Sequence, residues 1–490
     1  MKKFKIILSA LLIFGAYSCD TVDFGDTDEN VNGPIEYNSG ALLAAAQRRL
    51  ATTGGRQYKS VPTLYVQYQS QPAYQDESRY GETPYTWTSF YVQTLSNLQE
   101  IVNQANDPEI STSVSFLLNG SANNQLGLAK IMKAIIFRRV TDSYGDIPYT
   151  EALNPEIQSP KYDTQEFIYK DLINELKVGR DLLDATEVGP TGDLIYDGDV
   201  SKWKKFANSS ILSLSIQLSN KYPGVSEFAA TEFNSALSNA AGVIETVQDE
   251  AWFTHLNAST FENPYSGFRA ADYALSEFFV NALQGDGGDF SSTNPDSRLQ
   301  IFADDATLEG YPYGLENNPS GIITAKMSSN ISDAGAPAAW MTASYTYLNR
   351  ADAANLGWTT EDAATMLDMG IQKSYETLSS HYGVDITADA AAFAAARVSD
   401  ATSTSMAQVI GEEKWVALYP EGFEAWSEWR RTDFPILTAS PDPLNSSGEI
   451  ATRYLYPTSE ISLNGTSYSS GVSNLSPATD NNDSKVWWDQ

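Results

Sequence analysis

One cysteine and two histidines occur in 490 residues. With a single thiol, at Cys19, an intrachain disulfide, a CxxC redox pair and a thiolate metal site are excluded. The motifs HExxH, GxSxG and GxxxxGK followed by Ser or Thr are missing too. The usual signatures of a zinc protease, an α/β-hydrolase and a phosphate-binding loop are therefore lacking. A Ser-His-Asp triad would have to use His255 or His381, and neither lies beside a recognisable nucleophile turn; both read as ordinary packed or surface histidines. Basic charge is scarce: 31 Lys and Arg against 62 Asp and Glu leave a formal net charge of −31. Such a surface repels phosphate backbones, which excludes nucleic-acid binding and fits solubility outside a cell. Among so many acids a glycosidase-like carboxylate pair can always be picked out, so that signal carries no weight. No cofactor or metal is implied. The Gly-rich segment Gln284–Asp289 lacks EF-hand spacing and its closing glutamate, and reads as a solvated turn.

What is present begins at the N-terminus. Lys2, Lys3 and Lys5 precede an apolar run from Ile6 to Ala16, and small residues lead to Cys19. This is the layout of a secretory signal, too short to span a hydrocarbon core of about 20 residues. Ending on cysteine, it resembles a bacterial lipobox, so Cys19 is the expected lipidation site. Residues 20–37 are acidic and rich in Gly and Asn, the composition of a flexible tether. The expected organisation is a signal over 1–18, a lipidated cysteine and acidic tether over 19–40, and one α-rich binding domain over 41–490. Aromatics are abundant, with 27 Tyr, 20 Phe and 10 Trp. Most must pack a core, and those on loops can stack on a ligand.

Helical periodicity dominates the rest. Tyr91, Leu95, Leu98 and Val102 share one face of a helix over Thr88–Ala105, and the wide stripe over Asn123–Ser143 predicts a largely buried helix. A third helix opens at Asp163 as N-cap with Glu166 as capping-box partner, and its face is Ile168, Leu172, Leu176 and Leu183. Lys202–Asn220, Ala338–Leu356, Thr360–Ser380, Ser405–Tyr419 and the Trp-rich Glu421–Arg431 also read as helical. Long loops are expected at Gln69–Thr86, Thr186–Val200, Gly285–Pro295 and Leu308–Gly321. Thr438–Ser484 reads as irregular.

Several segments carry a family resemblance. Gly145-Asp146-Ile147-Pro148-Tyr149-Thr150-Glu151-Ala152-Leu153 follows a long helix, Lys202-Trp203-Lys204-Lys205-Phe206 opens another, and Glu424-Ala425-Trp426-Ser427-Glu428-Trp429-Arg430-Arg431-Thr432 precedes Arg453-Tyr454-Leu455-Tyr456-Pro457. In this order they resemble the SusD/RagB family of Bacteroidetes outer-membrane lipoproteins. One departure is Arg350-Ala351-Asp352-Ala353, where relatives often carry Glu in place of Asp352. The resemblance implies a mostly α fold, with a tetratricopeptide-like helix-pair scaffold and long irregular loops forming the ligand face. It implies a non-catalytic, lipid-anchored outer-membrane protein facing the cell surface. Such a protein delivers oligosaccharides or other nutrient oligomers to a SusC-like, TonB-dependent β-barrel.

Two loops are candidates for ligand contact. The first holds Tyr74, Asp76, Arg79, Tyr80, Tyr85 and Trp87, stacking plates beside polar and charged partners, in a stretch without an amphipathic stripe. The same composition also suits a loop that packs its own rings for rigidity. The second holds Asn263, Tyr265 and Phe268, with Trp252 nearby. The Trp426/Trp429/Arg430/Arg431 block is expected to be structural, since its tryptophans share one helix face and its arginines suit carbonyls or carboxylates inside the fold. The functional alternatives are a peptide-binding member of the same family, a secreted carboxylate-dependent glycoside hydrolase, and a structural partner of a barrel with no ligand of its own.

Overall fold

Apolar side chains at helical spacing give each helix a buried stripe, and the chain satisfies them by stacking helices against one another. The computed structural model describes residues 38–269 and 271–490. The signal, Cys19 and the acidic tether lie outside the described residues. A first run comprises α1 (Ser39–Thr52), α2 (Ser96–Asn106), α3 (Ala122–Tyr144), α4 (Gln165–Leu182), α5 (Val200–Gln217) and α6 (Phe228–Leu237), each packed on the next. After α7 (Glu277–Gln284), a second run comprises α8 (Ala343–Asn355), α9 (Ala363–Tyr382), α10 (Thr387–Ser403), α11 (Met406–Leu418) and α12 (Gly422–Thr432). In it α8 packs on both α5 and α11, joining the two runs. This is the expected mostly α, helix-pair scaffold.

The α3–α4 contact shows why the sequence folds this way. A Cβ on Gly127 would stand 2.6 Å from the Gly179 carbonyl oxygen, and one on Gly179 would stand 2.8 Å from that of Gly127. The two backbones touch, and only glycine leaves the room. Helix α4 is capped by Thr164, whose hydroxyl accepts from the Phe167 N–H. The expected cap, Asp163, is engaged elsewhere, with one carboxylate oxygen accepting from the Thr150 amide and hydroxyl, each at 2.7 Å.

Strands are few and short. Antiparallel pairs join β1 (Gln69–Ser70) to β5 (Ala274–Leu275), β2 (Ile147–Pro148) to β3 (Tyr162–Asp163), and β4 (Ala251–Phe253) to β6 (Ala338–Met341). The segment expected to be helical from Ala338 thus begins as a strand and turns helical at Ala343. Its first residues are recruited by Trp252 and Phe253 opposite. The expected helix from Thr88 holds a π-helical turn at Tyr91–Leu95, and the irregular C-terminal region contains helices Thr458–Leu463 and Gly465–Ser473.

Between α11 and α12 lies a buried charge network. Glu412, Glu413 and Lys414 are consecutive and fully buried. Glu413 receives Arg298 and Arg397, each at 2.6 Å. Lys414 reaches Asp352 at 3.0 Å and Glu428 at 3.2 Å, and Arg431 reaches the same two carboxylates. The shorter Asp352 therefore still makes two ion pairs. Arg430 lies 4.0 Å from the Trp426 ring and 4.6 Å from Trp488, and donates to the Asp142 and Thr452 carbonyls. Half-buried Trp429 apart, this block is core, as its spacing predicts.

Candidate ligand-binding face

The pairing of β1 with β5 decides where the two candidate loops go. Gln69 opposes Leu275 and Ser70 opposes Ala274, so the loop leaving β1 runs beside the loop entering β5. The two meet at Tyr74, which is 64 % exposed, with the Arg269 guanidinium 5.8 Å from its ring centroid. Arg269 is itself held by Asp272, its Nε donating at 2.5 Å. Behind it Phe268 and Tyr273 stack with centroids 4.7 Å apart and planes at 26°. Half-buried Tyr85 packs edge-on against Tyr454 at 5.1 Å, with Tyr273 near enough to act on its hydroxyl. Burial, then the carboxylate of Glu77, pushes its hydroxyl well above the ordinary range.

Tyr74 has φ 58°, a left-handed conformation that costs a non-glycine residue about 1–2 kcal/mol. Such residues concentrate at functional sites, where surrounding structure over-determines them. Here the neighbouring chain is clamped on both sides. Asn318 donates to the Gln71 and Pro72 carbonyls, and the Gln75 side chain donates to the Glu316 carbonyl at 2.6 Å. Glu77, buried, accepts from Gln71 and pairs with the exposed Arg56 at 2.6 Å. An exposed aromatic thus stands on a rigid base.

The candidate residues separate by burial. Tyr74 and Asp76 are exposed, and Arg79 and Tyr85 are half-buried. Arg79 ties the loop down, its Nε donating to the Asp442 carbonyl at 2.6 Å. Tyr80 and Trp87, expected to face ligand, are core residues. The Tyr80 hydroxyl accepts from the Ser440 amide, and burial pushes its pKa up to about 12. Trp87 packs edge-on against Tyr91, Tyr144, Tyr162 and Tyr456. Asn263 and Tyr265 are also buried, with their polar groups already used. Asn263 donates to the Ile331 and Ala336 carbonyls and Tyr265 to that of Pro420. Arg269, Asp272 and Tyr273 are not among the sequence candidates. Their signal is present all the same: rings and charges without an amphipathic stripe, the criterion that selects the earlier loop.

Of the histidines, His255 is buried, which depresses its pKa to about 4, and His381 stacks on Trp252 at 3.8 Å. Among the described residues no cluster of three or more His, Cys, Asp or Glu is placed to hold a metal, and no helix is long and apolar enough to cross a membrane.

The fold has solved counterparts. The chain is similar to a chitin-binding protein, 26 % identical with TM-score 0.76, over 92 % of this chain and 100 % of that one. A chitin-binding SusD homolog from Flavobacterium johnsoniae is 20 % identical with TM-score 0.77, over 93 % and 99 %. A SusD homolog from Bacteroides fragilis is 21 % identical with TM-score 0.74, over 93 % and 100 %. None of the curated proteins compared matches the chain. Residues 31–457 match the SusD-like family model described as "Starch-binding associating with outer membrane". The chain belongs to that SusD-like family.

Proposed function

We propose that this protein captures oligosaccharides on the face built by Tyr74, Tyr85, Phe268 and Tyr273, with Asp76, Arg269 and Asp272 at its edges. The observation that carries the reading is the meeting of two loops that hold exposed Tyr74 and half-buried Phe268 and Tyr273 beside charged groups, with Tyr74 fixed in a left-handed conformation. Sugar rings present apolar C–H faces to aromatic plates and hydroxyls to carboxylates and guanidinium groups. The starch-binding description of the family and the chitin-binding names of two similar structures support a glycan over a peptide.

On this reading Cys19 is acylated, residues 20–37 tether the body to the outer membrane, and the ligand face serves a SusC-type, TonB-dependent barrel. Modest affinity is sufficient, because tethering at a barrel mouth raises the effective concentration. The protein binds without cleaving. Calorimetric titration with malto- and chito-oligosaccharides, followed by chromatography of the incubated sugars, tests this. The expected result is saturable binding with every oligomer recovered intact. Release of shorter products would replace the reading with a carboxylate-dependent hydrolase. Binding of oligopeptides but no saccharide would replace it with a peptide receptor.

A further inference from the structure

Tyr265 has two sides. Its ring packs edge-on against Phe268 of the ligand face, 5.0 Å between centroids, and it also lines a deep cleft behind that face. The cleft encloses about 1360 Å³ of space, open solvent at its mouth included. Its mouth is framed by three half-buried aromatics, Trp252 on β4, Trp340 on β6 and Tyr382 at the end of α9. Trp252 and Tyr382 are braced, the first by stacking on His381 and the second through its hydroxyl on the Pro337 carbonyl. Trp340 is different. Its indole ring and N–H have no stacking or hydrogen-bond partner among the described residues.

The interior decides what would fit. Arg138 pairs with Glu424 at 2.7 Å and with Asp142 at 3.4 Å, and Arg139 pairs with Glu421 at 3.3 Å. Lys59 completes the balance on Glu421 at 3.4 Å. Each carboxylate lining the cleft already has a cation, so a charged ligand would find no free counter-charge. The lining is polar as well: the Ser210 and Tyr419 hydroxyls face buried space there with no hydrogen-bond partner among the described residues. A purely apolar guest would strand these groups without water.

We propose that this cleft is a second binding site, distinct from the ligand face, for a single uncharged polyhydroxylated ring stacked on Trp340. The indole face takes the ring's apolar C–H face, and the polar lining receives its hydroxyls. The guest is either a free monosaccharide or the terminal unit of a chain, two sources that share one chemistry. The site stands independently of the face in front of it.

The test uses the full chain carrying Tyr74→Ala and Tyr273→Ala, which disables the outer face. Glucose, N-acetylglucosamine, maltose and chitobiose are titrated against tryptophan fluorescence, with indole and octanoate as apolar controls. Saturable quenching by at least one sugar is expected, weakened at least tenfold by adding Trp340→Ala and less by Trp340→Phe, which keeps a ring but loses the N–H. Circular dichroism confirms that each variant is folded. A disaccharide binding where its monosaccharide does not identifies a chain end as the guest. The proposal is overturned if wild type binds oligosaccharides but the face variant binds no sugar. It is equally overturned if Trp340→Ala leaves sugar binding unchanged, or if only indole or octanoate saturates. If the face variant keeps full oligosaccharide affinity, the outer-face reading fails while the cleft stands. If neither protein binds any sugar, both fail.

Discussion

Trp87 and Tyr74 lie thirteen positions apart in one loop region, yet their surroundings are opposite. Trp87 packs among four tyrosines and Tyr74 stands in solvent. Composition alone does not separate them, because a ring next to polar residues suits either a core or a binding face. Their substitutions are therefore expected to diverge. Trp87→Ala leaves a cavity and should cost about 3–5 kcal/mol, read as a lowered midpoint in chemical denaturation. Tyr74→Gly relieves a left-handed conformation, so it should hold or raise the melting temperature while oligosaccharide affinity falls. A lower melting temperature on Tyr74→Gly would show that the ring serves the fold. In the charge network, burial alone would raise the Glu413 carboxyl, but Arg298 and Arg397 outweigh it and hold it below its ordinary value. Glu413→Ala would leave both guanidinium groups short of a partner in the core, at a cost of about 3–5 kcal/mol by denaturant titration.

At the scale of elements, what was legible in the sequence was whatever follows from local periodicity. The stripes of α3 and α4 and the Trp-rich α12 are where their spacing puts them. The exceptions come from distant partners. The strand Ala338–Met341 exists because Ala251–Phe253 lies opposite, and its short alternation is not separable from a helix start. Helix α10 is alanine-rich, so its high propensity comes without a strong apolar stripe. The cap of α4 falls one residue later than expected because Asp163 and Thr164 are both competent and only Asp163 is needed by Thr150. Thr164→Ala should therefore cost about 1 kcal/mol, and Asp163→Ala should disturb the turn at Thr150 instead. The α3–α4 contact makes a sharper demand. Gly127→Ala and Gly179→Ala should each destabilise by about 1–3 kcal/mol through overpacking, although alanine is the better helix former. Thermal denaturation rising with either substitution would mean that the helices do not touch.

For the molecule as a whole, the two-residue pair β1–β5 is what brings the ligand loops together, and nothing local in either loop announces it. Burial of Tyr80, Asn263 and Tyr265 is illegible for the same reason, since their partners lie far along the chain. Acid sensitivity is a property of the sum. Glu413, Glu428 and Asp352 are buried and Glu421 is half-buried, which would raise them, yet neighbouring cations hold all four below their ordinary values. The unfolded chain therefore takes up protons first, and their contribution is lost as pH falls below about 4.5. His255, depressed to about 4, acts in the same direction: its contribution is full above about 6.5 and is lost as pH falls through 4. Asp489, pushed up to about 6 mainly by burial, works oppositely, its contribution being lost as pH rises through 6. The melting temperature should accordingly drop steeply between about pH 4.5 and 3, and a flat profile there would contradict the paired carboxylates.

The central claim is that two loops make one glycan-binding face, and calorimetry on the Tyr74→Ala/Tyr273→Ala chain tests it most directly. Two lost stacking contacts at about 0.5–1.5 kcal/mol each predict roughly 5- to 150-fold weaker oligosaccharide binding at an unchanged melting temperature. Wild-type affinity in that variant would contradict the account.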